Sequence, residues 1–199
     1  GKAAVRAVGY LSYQSGYIDN PITGEKNVND KDVTGARISG VYSFSDSVSV
    51  TGKIAYQKKE SSGTNFETVG LPPRHQESLP ERLEDEWTNY NLILDADIGF
   101  ASLMSSTSLL DRSVDATLDI SGFAEAAFGI ETPIWTEAPF DDQEFVQELR
   151  LTSDNAGRLL WTLGLFYQDF DQDLFQTMPA PGFDDLTGGL ASAFGLADN

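Results

Sequence analysis

The sequence predicts an all-β fold, an antiparallel up-and-down transmembrane β-barrel of which about seven strands are present, so that residues 1–199 form a fragment of a larger barrel domain. Three observations predict it. Apolar residues recur at every second position instead of at helical spacing. The candidate strands are close to the ~9–11 residues that a tilted strand needs to cross a bilayer. Tight turns alternate with long links, which puts the short connections at one end of the sheet and the long ones at the other.

In chain order, Ala3 to Tyr13 is a mixed small and apolar stretch that reads as the first strand. Thr34 to Phe44 sets Ala36, Ile38, Gly40, Tyr42 and Phe44 opposite Arg37, Ser39, Val41 and Ser43. Val48 to Gln57 sets Val48, Val50, Gly52, Ile54 and Tyr56 opposite Ser49, Thr51, Lys53, Ala55 and Gln57. Only Ser45, Asp46 and Ser47 separate these two, a hairpin whose apolar faces coincide. Tyr90 to Phe100 repeats the pattern, with Ile93 as the exception. A turn near Gly99 leads into Ala101 to Asp111, a Ser/Thr-rich strand whose phase periodicity does not fix. Glu144 to Ser153 and Arg158 to Asp169 form the last hairpin through Asp154-Asn155-Ala156-Gly157, residues suited to a tight turn. The long links are Gln14 to Val33, Glu60 to Asp85, Ser113 to Asp142 and the tail after Phe170.

Composition narrows the function classes. A net charge of −18 opposes nucleic acid and anionic surfaces. With no cysteine there is no disulfide framework, thiolate metal site or cysteine nucleophile, and the single His75 leaves no histidine pair for zinc. Apolar residues at 40% and aromatics at 11% are too abundant for a disordered chain. No run approaches the ~18 apolar residues of a transmembrane helix, and no signal peptide is evident.

Alternation does not by itself say where the apolar face points. In a barrel it meets lipid while the polar face lines a lumen. In a soluble or secreted β-sheet binding module, for example a glycan-binding one, it forms the core. Arg37, Lys53, Asn89, Asn91, Asp95, Asp97, Glu148 and Arg150 within the strands, and Tyr13, Phe44, Tyr56, Tyr90, Phe100, Phe145 and Tyr167 near their ends, suit a polar lumen and interfacial girdles.

Gln147-Glu148-Leu149-Arg150-Leu151-Thr152-Ser153, followed after a turn by Trp161-Thr162-Leu163-Gly164-Leu165-Phe166-Tyr167, resembles a hairpin of TonB-dependent receptor barrels. Gly16-Tyr17-Ile18-Asp19-Asn20 and Ser106-Thr107-Ser108-Leu109-Leu110-Asp111-Arg112 resemble the same family, so the likeness runs from Val5 to about Asp169. The resemblance implies an outer-membrane transporter of a Gram-negative-type envelope. Its partners would be outer-membrane lipid, a scarce small ligand such as a ferric siderophore, and the inner-membrane TonB complex acting through a plug domain. No plug domain, energy-coupling box or closing C-terminal strand is evident in residues 1–199, which leaves about a third of a barrel. A passive porin-like channel is the further alternative. No resident cofactor or metal is expected.

The long loops hold the candidate ligand contacts. Arg74, His75 and Arg82 lie among Glu77, Glu81, Glu84, Asp85 and Glu86. The guanidinium groups either fork onto an anionic ligand or neutralise these acids. Trp135 and Phe140 either stack on a planar ligand or pack their loop. A short helical turn is expected near Phe123 to Phe128, and Asp169-x-Asp171-x-Asp173 reads as a solvated acidic loop that lacks the glycine and distal glutamate of a calcium site. Nothing pairs a nucleophile with a base or sets two carboxylates about a substrate, so no enzymatic activity is expected.

Overall fold

The computed structural model describes residues 1–63, 79–122, 125, 133–153 and 159–182. Eight strands follow in order: β1 (Ala3–Gln14), β2 (Lys31–Ser43), β3 (Val48–Ser61), β4 (Arg82–Asp97), β5 (Ala101–Asp119), β6 (Trp135–Glu137), β7 (Phe140–Ser153) and β8 (Thr162–Leu174). They form one antiparallel sheet in the order β1-β2-β3-β4-β5-β7-β8, with β6 paired to the far end of β5. The sheet is open, with β1 and β8 at its edges.

The two-residue period sorts side chains cleanly because the pairings keep one register across the sheet. Ile38 pairs with Ile54, Ile54 with Tyr90, Tyr90 with Leu109 and Leu109 with Phe145. One level further towards the short turns, Val5 meets Gly40, Gly40 meets Gly52, and Gly52 meets Leu92. Each such row is apolar for most of its length, while the intervening rows carry the polar residues. The phase of Ser/Thr-rich β5, which periodicity leaves open, is set by these pairings: Leu103, Ser105, Thr107 and Leu109 lie on the apolar face.

No second layer covers either face among the described residues, and packing runs between neighbouring strands. The apolar face is therefore open: Val5 is 78% exposed, Leu92 55% and Leu165 73%. A thin polar notch interrupts it where Thr107 donates to Gln147 at 2.6 Å and Gln147 donates to Ser105 at 3.1 Å. These groups satisfy one another, so the notch leaves little bonding capacity unmet. Among the described residues no helix is long and apolar enough to cross a membrane.

The tight turns fall at one end, as expected. Ser45 to Ser47 link β2 to β3, and Gly99, at φ 92°, lies in the turn from β4 to β5. That conformation is open to glycine at little cost. Ile98 and Phe100 sit in this turn and not in the strand. Asp154 to Gly157 and Arg158 lie outside the described residues. Strand β8 starts at Thr162, with Trp161 joined to Ser153 by two hydrogen bonds of 2.9 Å.

At the loop end the strands outrun their expected limits. β3 continues to Ser61, β4 begins at Arg82, β5 reaches Asp119 and β8 reaches Leu174. Asp169, Asp171 and Asp173 are consequently strand residues on one side of β8, a correction to their reading as an acidic loop. In the extensions of β4, β5 and β8 the alternation changes phase: Leu83, Trp87, Val114, Ala116 and Leu174 lie on the side of the polar face, and Glu84, Glu86, Asp115, Thr117 and Asp173 on the side of the apolar one. Of the expected helical turn, Glu125 is helical, and most of Phe123 to Phe128 lies outside the described residues.

Candidate functional site

Successive pairings on the polar face line up one row across seven strands: Tyr10, Gly35, Gln57, Trp87, Arg112, Asp142 and Gln172. It runs just on the loop side of the last apolar residues, Tyr56 and Tyr90. Strand pairing thereby gathers residues from seven separate stretches of sequence at one level.

The row is tied together by side chains. Arg112 donates from Nε to Asp85 Oδ1 at 2.9 Å and from Nη2 to Asp85 Oδ2 at 3.2 Å. Its Nη1 lies 3.5 Å from Asp142 Oδ2, and its guanidinium stands 5.5 Å from the centre of the Phe140 ring. Asp142, a buried carboxylate, also accepts from Gln172 Nε2 at 2.6 Å. One guanidinium thus bridges β4, β5 and β7, and Gln172 extends the bridge to β8. A fork of this kind is geometrically specific and stronger than a neutral hydrogen bond.

At the other end, Tyr10 crosses Gly35 to donate from its hydroxyl to Gln57 Oε1 at 2.7 Å. A Cβ on Gly35 would lie 2.2 Å from the tyrosine Cζ, so only glycine leaves room for this crossing. Between the two ends, Ala55, Asp85, Trp87, Asn89, Leu110 and Arg112 line a hollow of about 470 Å³. It combines an aromatic surface, a guanidinium and a carboxamide, the group types that hold a polar ligand with a planar part.

The first long loop is stapled by asparagines above this row. Asn29 Oδ1 accepts from the backbone N–H of Tyr17 at 2.8 Å and of Ile18 at 2.9 Å. Asn20 Oδ1 accepts from Ile22 at 2.9 Å and Thr23 at 3.2 Å. Ile18, Asn20 and Asn29 are buried.

The residues singled out from the sequence fall elsewhere. Arg82 pairs in register with Thr117, on the side continuous with the apolar face, and donates to Glu84 at 2.5 Å. Trp135 pairs with Asp119 on that same side, and its indole N–H donates to Glu137 at 3.0 Å. Arg74 and His75 lie outside the described residues. Phe140 does join the row's surroundings, beneath Arg112. Sequence reasoning missed Trp87, Arg112 and Asp142 as site residues. The phase that places them on one face was not readable in the sequence, because all three lie beyond the stretches where alternation fixes a strand's phase.

No family model matches the chain, and no curated protein matches it. Among solved structures, the ferric yersiniabactin uptake receptor FyuA from Yersinia pestis superimposes with a TM-score of 0.75 at 12% sequence identity. The match covers 91% of this chain and 28% of that one, so the chain spans well under a third of that receptor's length. At this identity the likeness concerns the fold, and it identifies the open up-and-down sheet as similar to an arc of a receptor barrel wall.

Proposed function

We propose that the chain is part of the wall of an outer-membrane TonB-dependent transporter, with its apolar face in lipid and its polar face towards an aqueous lumen. The observation that carries this reading is the uncovered apolar face, ended by Tyr56, Tyr90 and Tyr167 towards the loops and by Tyr42 and Phe44 towards the turns. From Val48 to Tyr56 it covers about 26 Å of strand, or roughly 20 Å along the membrane normal at a tilt near 40°, approaching the ~25 Å band of outer-membrane barrels. A water-soluble sheet would cover such a face with a second layer. The membrane reading also requires further strands against β1 and β8, since unpaired backbone groups in hydrocarbon cost several kcal/mol each.

The long-loop end would face the exterior, and the Trp87–Arg112 row would stand at the mouth. There the wall would meet a ferric siderophore or a comparable scarce ligand on its way in. The likeness to a ferric siderophore uptake receptor supports that ligand class, and the sequence resemblance supports energy supply from the TonB complex through a plug domain. No catalytic step is proposed.

Cysteine accessibility tests this. The chain has no cysteine of its own. In the protein's natural full-length context, Ile54→Cys should react with a lipid-soluble thiol reagent and resist a water-soluble one, while Lys53→Cys should react with the water-soluble reagent. Resistance of Ile54→Cys to both reagents, in protein recovered from the soluble fraction, would replace this reading with a soluble binding module.

A further inference from the structure

The polar face carries a division of charge that extends well beyond the mouth row. On β1, β2 and β3 it presents Arg6, Lys31, Arg37, Lys53 and Lys59 and no acid. On β4, β5 and β7 it presents Asp85, Asp95, Asp97, Asp142, Glu144 and Glu148 against Arg112 and Arg150, and β8 adds no charge there. Those two arginines are ion-paired, Arg112 to Asp85 and Asp142 and Arg150 to Glu148. The five cations of β1–β3 make no ion pair with any described residue.

Three of the five cluster. Arg6, Ser39 and Lys53 share one row, and Arg37 lies two residues from Ser39 along β2. At ordinary strand spacings the three side chains root within about 10 Å of one another. Like charges so placed repel, and an anion among them relieves the repulsion. Guanidinium groups add forked donors suited to carboxylate or phosphate oxygens.

We propose that the β1–β3 part of the polar face binds a small polyanion, a molecule bearing several carboxylate or phosphate groups, while the acidic β4–β7 part repels it. The inference rests on the lumen reading above and names the class of cargo that such a lumen admits. A wall divided in this way sets up a lateral field that holds an anion against one side of the passage.

Ser39 and Val146 lie on the same row, Ser39 between Arg6 and Lys53, and Val146 flanked along β7 by Glu144 and Glu148. Ser39→Cys and Val146→Cys, each in the natural full-length protein in its membrane, are labelled with an anionic (sulfonatoethyl) and a cationic (trimethylammonioethyl) methanethiosulfonate. The anionic-to-cationic rate ratio should be at least about sevenfold higher at position 39 than at 146, as a potential difference of roughly one kT requires. Citrate or pyrophosphate should slow labelling at 39 by about twofold at half-occupancy and leave 146 unaffected. Adding Lys53→Glu should remove both effects. Protection by citrate alone assigns carboxylates, and protection by pyrophosphate alone assigns phosphates. Equal ratios at the two positions, absence of protection by either anion, or no labelling at 39 overturns the strip. If Ile54→Cys proves as water-accessible as Lys53→Cys, the lumen reading itself has failed. If the Ile54 and Lys53 pattern holds while the ratios are equal, the strip alone has.

Discussion

Arg112 on β5 engages both carboxylate oxygens of Asp85 on β4, at 2.9 and 3.2 Å. The two residues are not directly opposed in the sheet: Arg112 pairs with Trp87, so the fork reaches diagonally past the indole to the next polar row. That diagonal leaves Nη1 free to face Asp142 on the other side.

Removing the guanidinium should therefore harm two acids at once. Arg112→Ala leaves Asp85 and buried Asp142 without their cation, and should cost about 1–2 kcal/mol, less than a fully buried pair because Arg112 is one-third exposed. Arg112→Lys keeps the charge and loses the fork, so denaturant unfolding should place it between the parent and Arg112→Ala. A lysine variant as stable as the parent would show that charge alone matters.

Gly35 and Tyr10 make a second separable pair. Gly35→Ala should lose about 1–3 kcal/mol because its Cβ meets the tyrosine ring. The Tyr10→Ala background removes that clash, so the same substitution there should cost well under half as much. Equal costs in both backgrounds, read from thermal unfolding, would sink the explanation.

The two faces should respond oppositely to charge. Leu92→Arg, at the middle of the apolar band, should destabilise by about 2–4 kcal/mol in a bilayer. Asn91→Arg, its neighbour on the polar face, should stay within about 0.5 kcal/mol. Unfolding from lipid vesicles measures both.

Asn29 holds the start of the first loop through two backbone amides. Asn29→Ala strands the amides of Tyr17 and Ile18, and hydrogen exchange at those two amides should accelerate by at least tenfold while β1 and β2 keep their protection.

By itself the sequence determined the sheet's class, its strand order and the side on which each of Ile38, Ile54, Tyr90 and Leu165 lies. A period of two is a local property, and tight turns force adjacent strands to pair. It also located the short turns at Ser45 to Ser47 and at Gly99. The loop-end extensions were not legible, because beyond Tyr56 the end of β3 is polar on both faces and beyond Asp111 the apolar residues Val114, Ala116 and Leu118 fall on the opposite face from Leu109, so the single apolar phase breaks while the backbone keeps pairing. The phase of β5 was hidden for a similar reason, since serine and threonine occupy both sides of it. Only the tertiary structure decided the site. Trp87, Arg112 and Asp142 are 25 and 30 residues apart in successive steps along the chain, and register alone makes them neighbours. Register also set Arg82 and Trp135 on the side away from that row. Which polar residues face one another follows from how whole strands slide against each other, a global outcome that no local pattern encodes.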